Sequence, residues 1–209
     1  MKRCIRMLLC GGIYFAAMGS TAAGATAEYD FKDPKGVNAI VFMLDSVTEP
    51  IMGVADGISG KVTFDPSNPS AIKGTITVAT NSIYTPNRGM KNKIQAKDWL
   101  DGKNHPTIDF VFKSVEGVKT ISNDAQEISV VGELTCKGVT REIKTNVTAT
   151  YMPGKLSHRV RKMKGDLLVL RSRFTINRKD FNIKPQMGGD VVSEQIELRI
   201  SIVGAHATK

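Results

Sequence analysis

Three cysteines and three histidines are all that 209 residues offer to thiol or imidazole chemistry. Cys4 and Cys10 fall in an N-terminal leader, so Cys136 stands alone in the remainder, and neither an internal disulfide nor a cysteine metal cluster is available to it. His105, His158 and His206 lie far apart with no ligand-like spacing, which argues against a metal site. Long apolar runs are also missing. The longest, Met7 to Met18, is about a dozen residues, short of the roughly 20 that a membrane-spanning helix needs. Aromatic residues make up only 6% of the chain, with Trp99 the single tryptophan, and no phosphate-cradling glycine motif opens a helix.

What is present begins with Lys2, Arg3 and Arg6, passes through that apolar stretch and reaches the small residues Ala25-Thr26-Ala27, the order of a secretory signal peptide. The expected division is a cleavable leader over 1–27 and a single domain over 28–209. Leu9 ahead of Cys10 argues against lipidation. Loss of the three leader cations takes the formal charge from +9 to +6, a mildly basic balance. Export places the protein in an oxidising compartment, by default a bacterial periplasm. About 180 remaining residues are enough for one core without covalent staples.

From Val37 onward, apolar residues alternate with period two in segments separated by Gly, Pro, Asn and Asp. Eight strands are expected around 38–44, 58–64, 72–78, 108–112, 128–134, 143–151, 168–176 and 196–202. The residues between the apolar positions are mostly Lys, Thr, Glu, Asp, Ser and Arg, so one face is buried and the other wet. An outer-membrane barrel inverts this pattern, and each Lys or Arg on its lipid face costs about 2 to 4 kcal/mol near the midplane. Asp65-Pro66-Ser67-Asn68-Pro69 and Cys136-Lys137-Gly138-Val139 are turns between neighbours, which makes the sheet antiparallel. Such a sheet forms a sandwich or a barrel; closure removes exposed edges and favours the barrel. One segment departs: Met90 to Leu100 has apolar spacing closer to a helix, ending near Asp101-Gly102, between the third and fourth strands.

No acid–base or nucleophilic set is visible, since nothing places a histidine beside Cys136. Residues 155–164 are rich in cations, with Lys155, Arg159, Arg161, Lys162 and Lys164; they read either as a solvated loop or as a contact for anionic lipid or an acidic partner. Nucleic acid is excluded as a partner because no stacking aromatics are interleaved there. The interior mixes small residues, Gly60, Gly74, Thr80, Gly132, Thr145 and Ala149, with bulky phenylalanines. Small residues either leave space for a ligand or face large ones and leave none, and an eight-stranded lumen permits both.

The segments "GKVTFDP", "AKDWLDGKNHPTIDFVFKSV", "VVGELTCKGVTREI" and "SRFTINRKDFNIKP", in that order, resemble the YceI-like family of exported proteins over about 28–203. The resemblance implies an all-β, lipocalin-like, eight-stranded antiparallel barrel whose lumen holds a long amphiphile, such as a polyisoprenoid or isoprenoid quinone, in a carrier without enzymatic activity or cofactor. The chain departs from the family's frequent His-Ser pair near the first strand, reading Gly36-Val37-Asn38-Ala39, and has Lys93 where another family histidine is often found. The lumen wall is expected from Phe42, Phe64, Ile76, Val78, Phe110, Phe112, Phe174 and Ile176, with Trp99 and Phe181 near the mouth and Arg88 and Lys93 at a polar head. The alternative is a stress or interaction protein that binds a membrane surface or acidic partner through 155–164 around a solid interior. Transient membrane contact and a homodimer are both compatible with the sequence.

Overall fold

The computed structural model describes residues 26–208 except 34 and 49, so the expected leader falls almost wholly outside the described residues. Eleven strands form one antiparallel sheet: β1 (Ala27–Asp30), β2 (Ala39–Ser46), β3 (Ile51–Ala55), β4 (Ile58–Phe64), β5 (Lys73–Ala79), β6 (Ile83–Tyr84), β7 (Thr107–Ser122), β8 (Ala125–Cys136), β9 (Val139–Met152), β10 (Gly165–Asn177) and β11 (Val192–Ala207). Eight of them, β1, β4, β5, β7, β8, β9, β10 and β11, close into a barrel through the pair Asp30↔Ala205. β2 pairs with the rest of the same β11 edge and carries β3 and β6 alongside.

The expected count of eight strands is right for the ring, but its membership differs. The segment at 38–44 is β2, which flanks the ring, and the closing strand is β1, which begins at Ala27 where the leader was expected to end. β1, β3 and β6 are four, five and two residues long, too short to show a period. The β8–β9 turn puts Lys137 and Gly138 at φ 50° and 74°, the paired left-handed conformations that match the twist of a two-residue hairpin.

A helix does form between β6 and β7, but it is shorter than expected. α1 (Arg88–Gln95) starts on Asn87, whose side chain accepts from the N–H groups of Gly89 (2.9 Å) and Met90 (3.2 Å). It stops before Ala96 because the chain folds back on itself: Leu100 N–H donates to Ile94 O at 3.1 Å and Gln95 Nε2 to Thr80 O at 2.8 Å. The fold-back brings Trp99 and Leu100 to the barrel end.

Two cations fasten the ends, one buried and one half-buried. Arg178 has no exposed surface and donates to five main-chain carbonyls, those of Ser193 (2.9 Å), Ile183 (3.1 Å), Lys184, Met187 (2.7 Å) and Val192 (3.1 Å). It thereby holds the β10–β11 connection against the barrel. At the other end Arg159 pairs with Asp33 at 2.7 Å and donates to Asn38 Oδ1 at 3.0 Å. Burial pushes the Asp33 carboxyl up, but the N–H groups of Lys35, Asn38 and Val37, with Arg159, outweigh it and hold the group below the usual carboxylate range.

Arg178→Met should leave several buried carbonyls without donors and lower stability by about 3 to 5 kcal/mol, measured by denaturant unfolding. Asp33 stabilises the fold as an anion, so its contribution is complete at neutral pH and lost as pH falls below about 4. Asp33→Asn should lower Tm at pH 7 and flatten its decline in acid; an unchanged slope would show that Asp33 does not set it.

Candidate functional site

The barrel is filled at one end and hollow towards the other. At the end carrying the β7–β8 turn, Tyr29, Phe31, Val62, Phe64, Ile128, Val130 and Leu168 are each 1% exposed or less. Beyond them lies a cavity of about 190 Å³, bounded at the far end by Ile94, Trp99, Leu100 and Ile183. Its wall comes from β2, β3, β5, β6, β7, β8, β9, β10 and β11, and every lining residue is apolar or Cys136 except Thr145, Arg171 and Ser172.

Of the residues expected in the lumen wall, Phe42, Ile76, Val78, Trp99, Phe110, Phe112, Phe174 and Ile176 line this cavity. Phe64 does not: it belongs to the filled end, beyond the buried Val62 of the same strand. Phe181 does not either, because it lies behind the wall against Leu134, Cys136 and Ile183. Arg88 and Lys93 are on the exposed side of α1, away from the cavity. Sequence reading missed Ile40, Leu44, Leu134, Leu198 and Ile200, although the same alternation carried them.

The small residues are not what makes the space. A Cβ on Gly132 would stand 2.2 Å from the Phe110 ring, and one on Gly53 would stand 2.6 Å from the Phe42 ring. These glycines admit aromatic rings that themselves form the wall. Of the six small residues singled out, only Thr145 reaches the cavity.

Thr145 and Ser172 mark a break in the wall. β9 and β10 pair from Leu167↔Met152 to Ser172↔Val147 and no further. β10 stays paired with β11 out to Asn177↔Gln195, and β9 with β8 out to Cys136↔Val139. Residues 139–146 and 173–177 therefore leave a slit between unpaired edges. At its apex the Thr145 and Ser172 hydroxyl oxygens are 2.9 Å apart, and Ser172 donates to Asn146 O at 2.7 Å.

Other candidate groups are accounted for elsewhere. Cys136 is buried beside the cavity, and burial pushes its thiol up to about 12, the neighbouring Lys137 only partly opposing it. Among the described residues, no three His, Cys, Asp or Glu side chains come together to hold a metal ion. In the basic segment Arg159 is committed to Asp33 and Asn38, and Leu156 is buried; Lys155, Arg161, Lys162 and Lys164 remain exposed. Asn38, in the stretch that departs from the family's His-Ser pair, is 1% exposed at the filled end and does not line the cavity.

An apolar barrel with this hollow, built by these motifs, has relatives. Residues 33–204 match the YceI-like domain. The chain belongs to the YceI-like family. Protein YceI of Escherichia coli O157:H7 is 28% identical over 196 residues, 92% of this chain and 95% of its own length. Among solved structures, BcnA of Burkholderia cenocepacia superposes with a TM-score of 0.62 at 19% identity, over 79% of this chain and 95% of that one. A polyisoprenoid binding domain from Saccharophagus degradans, implicated in plant cell wall breakdown, superposes with a TM-score of 0.60 at 10% identity, over 87% and 99%. Both structures share this barrel fold.

At neutral pH the Cys136 thiol should stay protonated and shielded. A thiol-specific chromogenic reagent should therefore label it only as the protein unfolds, with the denaturant midpoint of labelling matching that of unfolding; rapid labelling of the native protein would contradict this placement.

Proposed function

We propose that this protein is an exported, periplasmic binding protein that sequesters a long-chain amphiphile, of the polyisoprenoid or isoprenoid-quinone type, in the barrel cavity. The observation that carries the proposal is the cavity wall, apolar throughout except at Thr145, Arg171 and Ser172. An unfilled void forfeits dispersion contacts, and at about 24 cal/mol per Å³ one of this size corresponds to roughly 4 to 5 kcal/mol. An apolar occupant recovers part of that. Burying a dozen methylenes adds about 10 kcal/mol gross at about 0.8 each. Ordering the chain takes back several, which is consistent with affinity near micromolar or better. The Saccharophagus domain, named for polyisoprenoid binding, supports the ligand class, and the order of residues 1–27 supports export.

The interaction reading rests on 155–164. It is weakened by the pairing of Arg159 with Asp33 and by the hollow interior, which the alternative takes to be solid.

Organic extraction of the purified protein followed by mass spectrometry should release a chain lipid, and the emptied protein should enhance the fluorescence of cis-parinaric acid. Ala55 lines the cavity at 4% exposure. Ala55→Phe should fill the space, weakening cis-parinaric acid about tenfold or more while Tm stays within a few degrees. Extracts without lipid together with no fluorescence enhancement would overturn the proposal.

A further inference from the structure

Neither barrel end offers an obvious route into the cavity. One is filled by Tyr29, Phe31 and Phe64; the other is covered by Trp99, Leu100 and Ile183, and the covering segments are tied together by the Lys184–Asp98 ion pair and by Lys184 N–H donating to Asp98 O at 2.9 Å. That leaves the side wall. The ring also lacks continuous pairing where β1 and β2 meet on the β11 edge, but there Asn38 stitches it. Its Nδ2 donates to Phe31 O (3.0 Å) and Val203 O (3.1 Å), and its Oδ1 accepts from Val203 N–H (2.9 Å). Among the described residues the β9–β10 slit has no such seam: two hydroxyls and one carbonyl make the hydrogen bonds at its apex, and below it the buried Phe181 packs in one apolar cluster with Val139 and Ile143 of one edge and Phe174 and Ile176 of the other.

We propose that the β9–β10 slit is the lateral portal through which a chain amphiphile reaches the cavity, and that its polar head stays at the apex against Thr145, Ser172 and Arg171. This rests on the reading of the cavity as a chain-binding site. The unpaired edges let a chain pass by displacing the Phe181 side chain, without breaking a ladder of main-chain hydrogen bonds. Such edges invite pairing with other strands unless they are charged. Here Arg141, Glu142, Lys144 and Arg173 stand exposed along them. The three polar residues of the wall cluster at the apex, where a head remaining at the surface would meet them.

The head is one rich in oxygen acceptors, a carboxylate or a phosphate. Arg171 is exposed and has no carboxylate partner among the described residues, unlike Arg173, which pairs with Glu197 at 2.9 Å. The Thr145 and Ser172 hydroxyls satisfy each other when no ligand is bound, and either can rotate to donate to an incoming oxygen.

In a Cys136→Ala background, Thr145→Cys with Phe174→Cys places a thiol on each edge just below the last paired residues. Oxidation should slow stopped-flow uptake and release of cis-parinaric acid about tenfold or more, with reductant restoring both. If mass measurement shows no disulfide, Phe174→Cys alone, carrying a bulky maleimide, should produce the same slowing. Rates equal in blocked and unblocked protein would overturn the portal. Failure of the unsubstituted protein to bind the probe would instead overturn the cavity reading itself. Separately, Arg171→Gln should weaken cis-parinaric acid several-fold while leaving the matching polyene alcohol unaffected; an unchanged acid-to-alcohol preference would overturn the placement of the head.

Discussion

A ring of strands with an apolar interior must be filled somewhere, or nothing holds its walls apart at a fixed spacing. Here the filling is concentrated at one end, where Tyr29, Phe31, Phe64 and Ile128 lose essentially all contact with solvent. The strand that completes this end is only four residues long and joins β11 by a single residue pair, Asp30↔Ala205. Its worth lies less in that pair than in the two aromatic residues that it and its exit carry inward. Asn38, Asp33 and Arg159 then lock the chain leaving β1 against β11 and the β9–β10 connection. With one end solid, the remaining length of the barrel stays open because its walls are already positioned.

The far end is held by different means. Its covering segments have little regular structure, and an irregular segment has main-chain carbonyls to satisfy. Arg178 gathers five of them on one guanidinium, a planar fork of donors that an ammonium does not reproduce. A charge taken wholly out of water is costly, so its worth is in specifying one path for residues 182–192. That path puts Ile183 on the cavity wall and Phe181 behind it. The depth of the hollow is thus set by a residue that does not touch it.

Much of this was legible in the alternation of the sequence, because a strand buried on one face must repeat every two residues. β4, β5 and β7 to β11 are long enough to show it. Alternation assigns a side chain to the inside, however, without saying where along the barrel axis it lies. Alternation therefore groups Phe64 with Phe110 and Phe112, although it belongs to the plug and they line the cavity. The glycines misled for a related reason. Gly132 reads as a gap in the inner face, but the gap is taken up by the Phe110 ring from the neighbouring strand, a cross-strand fact that one strand cannot reveal. Arg178 follows a strand and precedes two charged residues, so its pattern is that of a solvated turn; only the carbonyls converging from three separate stretches explain it.

The break between β9 and β10 could not be read from either strand alone, since both continue to alternate past the point where they separate. Nor does separation follow from a loss of apolar character: Ile143, Phe174 and Ile176 still face inward. What changes at the apex is polarity, with Thr145 and Ser172 in positions where the neighbouring inward residues are Val147 and Leu170. Two facing hydroxyls in an otherwise apolar wall would gain more from burial as valine and alanine. They are tolerated because they bond each other and the Asn146 carbonyl, and that set of bonds joins the last paired residues to the first unpaired ones. On the proposed reading, the same hydroxyls that end the seam are free to exchange partners with a ligand. The wall therefore opens where it is polar, and an apolar chain that has passed this point meets no further group to hold its head.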